Sequence, residues 1–155
     1  MKPAVERVAQ ALRAAGLDAE ITEFSESTRT AEEAAAAVGA QVGQIVKSLV
    51  FMADGRPILA LVSGAHKADT KKLEQSAGGP ISRANAEQVR KATGFAIGGV
   101  PPVGHAQSLT TYCDAALLQY PVVWAAAGTP NAVFPIAPRD LVRISSARVI
   151  ELADT

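Results

Sequence analysis

Apolar side chains recur along this chain with two different periods. Residues 3–15 place Val5, Val8, Ala9 and Leu12 three or four positions apart, a spacing typical of a helix with one buried face. Residues 18–24 alternate apolar and polar positions, which predicts a strand. Similar patterns predict helices at 30–39, 41–44, 68–78, 85–94, 115–120 and 138–144, and strands at 45–51, 58–62, 95–99, 108–114, 122–128 and 131–137. Residues 147–152 fit a last strand or a helix end.

Polar residues at two predicted helix starts support these boundaries. Thr30 and Glu33 have the spacing of a capping box, in which each side chain satisfies a backbone amide of the other residue. Asn85 and Gln88 repeat that spacing. Gly39 follows the alanine run after Thr30, and glycine is the usual residue beyond a helix end.

The segments 45–51 and 58–62 form the strongest hairpin signal in the chain. The turn-forming sequence ADGRP at 53–57 separates them. Strands joined by so short a turn are antiparallel. Because helices and strands do not alternate regularly elsewhere, we predict a mixed α/β fold whose sheet is antiparallel at least in part.

Lys47 interrupts the apolar strand 45–51. Strand alternation places it on one face with three large apolar residues, Ile45, Leu49 and Phe51, and places Val46, Ser48 and Val50 on the other face. A lysine among apolar neighbours either extends its ammonium group to solvent or has a partner. At the mouth of a cleft, the same charge would lie in a lowered dielectric and could hold a phosphate or a carboxylate.

The segment GGVPPVGH, residues 98–105, is too rich in glycine and proline for a helix or a central strand. Gly98, Gly99 and Gly104 permit unusual backbone conformations, whereas Pro101 and Pro102 fix φ and remove two amide donors. Such a stiff loop could receive a ligand or stabilise an oxyanion. An ordinary tight connection between strands is an equally good interpretation.

Composition indicates a globular protein of one domain. The chain has 155 residues, 48% of them apolar and 19% charged, with 15 basic and 15 acidic side chains. Zero net charge argues against a broad nucleic-acid surface but permits a local basic pocket. One cysteine, Cys113, and two histidines are too few for a usual zinc site, and we expect neither metal nor cofactor. With no signal peptide or membrane span recognisable, we expect a cytoplasmic protein.

Several further residues are weaker candidates. His105 ends the stiff loop and could be an acid, a base or a partner of the backbone. Asp114 precedes a predicted helix, where capping is its ordinary role. Cys113 is expected to be buried and inert. The basic segment 63–72 could meet RNA phosphates or form a solvated face.

Five stretches together resemble a known family. They are STRTAEEAAAAVG (27–39), QIVKSLVF (44–51), KADTKKL (67–73), ATGFAIGGVPPVGH (92–105) and VWAAAGTPNAVF (123–134). In this order they resemble the YbaK/prolyl-tRNA synthetase insertion-domain family of trans-acting aminoacyl-tRNA deacylases, over about residues 4–150. The most specific marks are the strand lysine, here Lys47, and a glycine–proline loop, here Gly98 to Pro102.

The resemblance implies an α/β (mixed α+β) fold of the YbaK type, with a curved, mixed but mostly antiparallel sheet surrounded by short helices. It implies a single editing domain over residues 1–155. It also implies hydrolysis of the ester between a wrong amino acid and the terminal adenosine of a tRNA. The partners would be the aminoacyl-tRNA acceptor end and an aminoacyl-tRNA synthetase. A non-catalytic tRNA- or nucleotide-binding module on this fold is the alternative.

The resemblance also assigns site residues. Lys47 would hold a phosphate or the substrate end, and the 98–102 loop would place the aminoacyl carbonyl by backbone contacts. The catalytic set is Lys47, Gly98, Gly99 and Pro102. The substrate-binding set is Phe24, Thr28, Thr30, Leu49, Ile97, Val100, Pro101, His105, Asp114, Gly128 and Thr129. Some relatives have a tyrosine before the second helix, a place taken here by residues of FSESTRT, 24–30.

The chemistry of ester hydrolysis is compatible with these residues. The sequence shows no Ser-His-Asp triad and no metal set, so backbone amides and a lysine would supply the electrostatic stabilisation. The nucleophile would be a water held by the tRNA ribose hydroxyl or a side chain of the substrate, such as a cysteine thiol. A small acyl pocket walled by Leu49, Phe51 and Ile97 would suit alanine, cysteine, serine or threonine.

Overall fold

The computed structural model describes residues 2–25 and 30–154. In this part of the chain the α-helices are α1 (Pro3–Ala14), α2 (Ala31–Val38), α3 (Thr70–Ala77), α4 (Ala86–Thr93) and α5 (Pro138–Ser145). The strands are β1 (Thr22–Glu23), β2 (Ile45–Ala53), β3 (Arg56–Ser63), β4 (Ile81–Arg83), β5 (Thr110–Asp114), β6 (Val123–Ala126), β7 (Ala132–Ile136) and β8 (Arg148–Ile150). Short 3₁₀ turns cover Val42–Gln44 and Ala115–Gln119. None of the helices in these residues is long and apolar enough to cross a membrane.

These strands join one mixed sheet in the order β1-β7-β6-β2-β3-β5-β8, with β4 paired to β2. The pairs β1–β7, β2–β3, β2–β4 and β6–β7 are antiparallel. The pairs β2–β6, β3–β5 and β5–β8 are parallel. The sheet is therefore mixed and mostly antiparallel, as expected. That residues 1–155 form a single editing domain stays a prediction.

The predicted hairpin and helix caps are confirmed. β2 and β3 pair from Val46↔Ser63 to Ala53↔Arg56 around Asp54 and Gly55. Both turn residues have positive φ, 51° and 77°, the conformation that a two-residue hairpin turn requires. The Thr30 and Asn85 side chains accept from the amides of residues three positions on, as predicted. The reciprocal bond of the capping box is present at Asn85, where the Gln88 side chain accepts from the Asn85 amide, whereas the Glu33 carboxylate accepts from the Thr30 hydroxyl.

The sheet carries apolar side chains on both faces of its central strand. Val46 and Val50 of β2 pack in the largest core cluster, which also contains Val8 of α1. Phe51, one position out of phase, packs in a separate cluster with Leu73 of α3. The alternation predicted for residues 45–51 is therefore present, and both faces of β2 are covered.

One edge of β2 is interrupted. β3 accompanies β2 along most of its length, but the opposite edge pairs with β6 at Ile45 and Val46 and with β4 from Phe51 to Ala53. No strand among the described residues pairs with residues 47–50 on that edge. The amide of Ala84 closes the far end of this gap by donating to the Val50 carbonyl at 3.1 Å.

Two predicted strands differ from the structure, one short strand was not predicted, and one open alternative is decided. Residues 95–99 form turns rather than a strand, because the sharp glycine turn at Gly98, φ 90°, cannot belong to an extended ladder. β1 shortens to Thr22–Glu23, since it pairs with β7 at just two positions. The short strand β4 was not predicted, since three residues carry too little periodicity. Residues 148–150 form a strand, which decides between the two alternatives for the C-terminal segment.

Candidate active site

A cavity of about 290 Å³ opens at the gap along β2. Six of the predicted site residues line it: Thr30, Lys47, Leu49, Ile97, Gly98 and Val100. The strand lysine and the glycine–proline loop, about fifty positions apart in the sequence, therefore meet at one cleft. The predicted wall residue Phe51 is absent from it, because its side chain is buried on the α3 face of the sheet.

The Lys47 ammonium group is held in place. It donates a hydrogen bond to the main-chain carbonyl of His66, in the loop after β3. Burial lowers the pKa of Lys47 below its ordinary value of 10.5, and the cations Arg83 and Lys67 act in the same direction. The carboxylates of Glu32 and Asp114 oppose that shift. The result is a fixed, partly desolvated donor at the cleft.

Asp114 supports the loop that holds Lys47. Its carboxylate is 1% exposed and accepts from the amides of Ser63 and Ala116 at 3.2 and 3.0 Å. The His66 ring nitrogen Nδ1 lies 3.3 Å from the same carboxylate. Asp114 does not line the cleft, so its placement gives no support to the predicted substrate contact. Its contact with Ala116 is the capping role given as the ordinary interpretation.

A serine, a histidine and an aspartate thus meet behind the cleft, but their geometry is structural. Ser63 is 1% exposed, and its hydroxyl donates to the carbonyl of Gly43 at 2.7 Å. The hydroxyl also accepts from the amide of Ala65. A nucleophilic serine needs an accessible oxygen whose proton goes to the histidine. Ser63 meets neither condition.

A contact between two residues of the stiff loop stabilises its conformation. The Nε2 atom of His105 lies 2.7 Å from the carbonyl oxygen of Pro101, and both prolines are buried. Burial lowers the pKa of His105, and the hydrogen bond to Pro101 partly offsets that effect. His105 therefore closes the loop on itself. Neither it nor Pro101 and Pro102 line the cleft.

The loop also packs against a second predicted segment. A Cβ built on Gly99 would lie 2.7 Å from the Cα of Thr129, and one on Gly98 would lie 3.7 Å from the ring of Pro130. Gly128, at φ 102°, fits against the carbonyl oxygen of Ala4 in α1. The predicted residues Gly99, Gly128 and Thr129 thus form the support behind the cleft wall.

Asn131 connects two further predicted residues. Its side chain donates to the carbonyl of Phe24 at 2.8 Å and accepts from the hydroxyl of Thr129 at 2.9 Å. Phe24 does not line the cleft. Thr28 lies outside the described residues.

Among the cleft residues that the sequence did not indicate are the polar or aromatic residues Ser48, Arg83 and Trp124. Arg83 lies in the unpredicted strand β4, and Trp124 was expected only as part of a buried strand. Ser48 is next to Lys47 but was placed on the opposite face of the strand. Among the described residues, no group of three or more histidine, cysteine, aspartate or glutamate side chains could hold a metal ion.

Comparison with known proteins identifies the family. A family model described as the aminoacyl-tRNA editing domain matches residues 25–144, which include β2, the stiff loop and the turn at Gly128. The chain belongs to this family. It is an aminoacyl-tRNA hydrolase, and its editing domain contains the whole of the cleft.

Individual relatives agree with this assignment. The Bacillus subtilis protein YwhH is 34% identical over 131 residues, covering 84% of this chain and 83% of its own. The Enterococcus faecalis protein EbsC, named as a candidate Cys-tRNA(Pro)/Cys-tRNA(Cys) deacylase, is 26% identical over 131 residues, covering 83% of this chain and 80% of its own. A proline–tRNA ligase of Bacillus licheniformis is 35% identical over 108 residues, 66% of this chain but 19% of the ligase. The editing domain is thus homologous to a segment inside that ligase.

A solved structure shows the same fold. The crystal structure of a candidate trans-editing enzyme for prolyl-tRNA synthetase superposes with a TM-score of 0.96 at 49% identity. It covers 100% of this chain and 99% of that one. The expected fold is therefore confirmed.

Proposed function

We propose that this protein acts in trans to hydrolyse the ester of tRNA mischarged with a small amino acid: alanine, cysteine, serine or threonine. The observation that carries the proposal is the single cleft formed by Lys47 and the loop residues Ile97, Gly98 and Val100. The relative named for Cys-tRNA deacylation supports cysteine as one such substrate, and the protein named for trans-editing supports action in trans.

Lys47 is suited to hold the acceptor end of the tRNA. Its ammonium group is fixed by the His66 carbonyl and Lys47 lines the cleft, so its remaining hydrogens can bond to a phosphate or a ribose oxygen. Arg83 borders the same cleft and adds a second positive charge. Two local cations can bind one terminal nucleotide on a chain whose net charge is zero.

The loop is suited to position the ester carbonyl. Gly98 lines the cleft and carries no side chain, so a substrate can approach its main chain closely. The amide of Gly99 instead donates to the carbonyl of Ala96 at 3.0 Å and helps to fix the turn. The ring of His105, the buried prolines and the contact with Thr129 hold this main chain rigid. Rigid amide donors stabilise a developing oxyanion because they need no reorganisation during the reaction.

The size of the cleft favours a small acyl group. At about 290 Å³ it lies just below the range of about 300–1,000 Å³ typical of ligand pockets. Its walls are mainly apolar, and such walls separate substrates by only about 1–3 kcal/mol per methylene group. We therefore expect cleavage of more than one small aminoacyl ester.

The nucleophile is a water held by the tRNA's ribose hydroxyl or a side chain of the substrate. The buried hydroxyl of Ser63 supports this assignment, since its proton is committed to Gly43. We place the reaction in the cytoplasm, with the aminoacyl-tRNA acceptor end as partner and docking to a synthetase as the means of delivery.

The direct test is a deacylation assay. The protein is incubated with tRNAs charged separately with alanine, cysteine, serine and threonine, and the surviving ester is measured. We expect loss of at least one ester and a roughly 100-fold lower rate for Lys47→Met, which keeps the apolar stem but removes the charge. The matched control is Lys71→Met, because Lys71 is exposed on α3 and does not line the cleft.

Full activity of Lys47→Met would overturn the role of the lysine. If every ester survived while the charged tRNA still bound, the protein would be a binding module rather than a deacylase toward these esters.

A further inference from the structure

Ser48 carries an unusual hydroxyl group. Among residues 2–25 and 30–154, its Oγ is the one side-chain nitrogen or oxygen that is buried and has no hydrogen-bond partner. Buried polar atoms are normally paired, because an unpaired one loses its bonds to water without compensation. An unpaired hydroxyl on a residue that lines a substrate cleft therefore points to a ligand that pairs with it.

The side chain of Ser48 faces the stiff loop. It shares a strand face with Val46 and Val50, and both valines pack in the same cluster as Val100 of the loop. Lys47 shares the other face with Phe51, which packs toward α3. Of the two adjacent polar residues, Ser48 is thus the one on the side of the loop proposed to position the ester.

The main-chain amide and carbonyl of Ser48 are also available to a ligand. The carbonyl of Ile45 accepts from Gly64 on the β3 side, whereas the carbonyl of Val50 accepts from Ala84 on the other side. Because peptide groups alternate along an antiparallel strand, the amide and carbonyl of Ser48 face the same way as those of Val50. They point into the gap between β6 and β4, where no strand in the described part of the chain pairs with residues 47–50.

The hydroxyl can reach the cleft by a simple rotation. Ser48 lines the cleft and is partly exposed as a residue, although its Oγ is shielded. Rotation about the Cα–Cβ bond moves Oγ between staggered positions. This rotation breaks no hydrogen bond, since the shielded position offers none.

We propose that Ser48 recognises the α-amino group of the aminoacyl ester, through its hydroxyl oxygen and its main-chain carbonyl. An amino group carries at least two hydrogens, and these two acceptors belong to one residue at the gap. This recognition rests on the proposed function. It would let the enzyme distinguish an aminoacyl ester from an acyl ester of the same shape.

The test compares Ser48→Ala with the wild type on two tRNA esters. One is the aminoacyl ester that the wild type cleaves, and the other is its des-amino counterpart, propionyl for alanyl or 3-mercaptopropionyl for cysteinyl. We expect Ser48→Ala to lower kcat/KM for the aminoacyl ester about three- to tenfold and to change the des-amino ester much less. The control is Ser82→Ala, an exposed serine of β4 outside the cleft lining, which should change neither.

Thermal unfolding provides an independent measurement. Since the hydroxyl has no partner among residues 2–25 and 30–154, Ser48→Ala should melt at the wild-type temperature or above. A lower Tm, an equal loss on both esters, or no change on either would overturn the role of Ser48. If the wild type cleaves no aminoacyl ester, the proposed function fails first and this inference fails with it.

Discussion

The ammonium group of Lys47 is hydrogen-bonded to the main-chain carbonyl of His66, whose imidazole rests against the buried carboxylate of Asp114. Lys47 lies on β2 and Asp114 at the end of β5, with β3 between them. The loop that carries His66 thus connects a buried carboxylate to the charge at the cleft. A substitution at Asp114 should therefore change the deacylation rate by displacing the loop that carries His66.

Asp114→Asn should lower both stability and activity. The amide group replaces one acceptor oxygen with a donor, so the Ser63 amide or the Ala116 amide loses its partner. We expect a loss of about 1–3 kcal/mol in the free energy of unfolding, measured by urea denaturation. The deacylation rate should fall at temperatures where the variant is fully folded, because the anchor of Lys47 is displaced. Asp18→Asn, at an exposed position, is the control, and wild-type kinetics for folded Asp114→Asn would exclude the positioning role.

Lys47→Met should not destabilise the protein at neutral pH. The folded pKa of Lys47 is lowered by burial, so its charge opposes folding below that pKa. Because the group is partly exposed, we expect the variant to match the wild type or exceed it by no more than about 1 kcal/mol. As pH rises from the lowered folded pKa to the unfolded value of 10.5, the wild type should gain stability relative to the variant. Paired urea melts across this range measure the difference, and a large loss at neutral pH would contradict the expectation.

His105 should make the protein less stable in acid. Its folded pKa is lowered by burial, so the unfolded chain binds a proton more readily as pH falls below 6.5. The contribution of neutral His105 to stability is therefore fully present above pH 6.5 and is lost as pH falls toward the folded pKa. His105→Gln should lose about 0.5–1.5 kcal/mol at neutral pH, where the bond to Pro101 is weakened or lost, but should show a shallower decline in acid. Tm values between pH 5 and 8 test this, and identical slopes for the two proteins would rule out His105 as the cause.

Gly99→Ala should disturb the support of the cleft. The added Cβ would lie 2.7 Å from the Cα of Thr129 and 2.9 Å from the carbonyl oxygen of Gly128, so main chain would have to move. We expect a loss of about 1–3 kcal/mol in unfolding free energy and a lower deacylation rate. Gly79→Ala is the matched control, because a Cβ there meets nothing within 4 Å. Equal stability of the two variants would show that the loop and the turn separate easily.

The local features of this fold were predictable because they depend on neighbours in sequence. The Asp54–Gly55 turn and the Thr30 cap each involve a few consecutive residues, and the structure contains both. The strand predicted at 95–99 was wrong, since its apolar residues lie in a glycine turn, with Phe95 buried and Ile97 exposed. β4 was not predicted because it forms by pairing with β2 and its own three residues show no strand pattern.

The sequence by itself determined that Lys47 is an anomalous charge in an apolar strand and that residues 98–105 are stiff. Only the tertiary structure decided that both border one cleft, since the gap arises where β6 and β4 pair with different ends of β2. It also decided that Asp114 and His105 support the cleft through His66 and Pro101 without lining it, and that the unpaired buried hydroxyl belongs to Ser48. Strand alternation is a local property, whereas the pairing of a strand edge and the partners of a buried polar atom are set by segments distant in the chain.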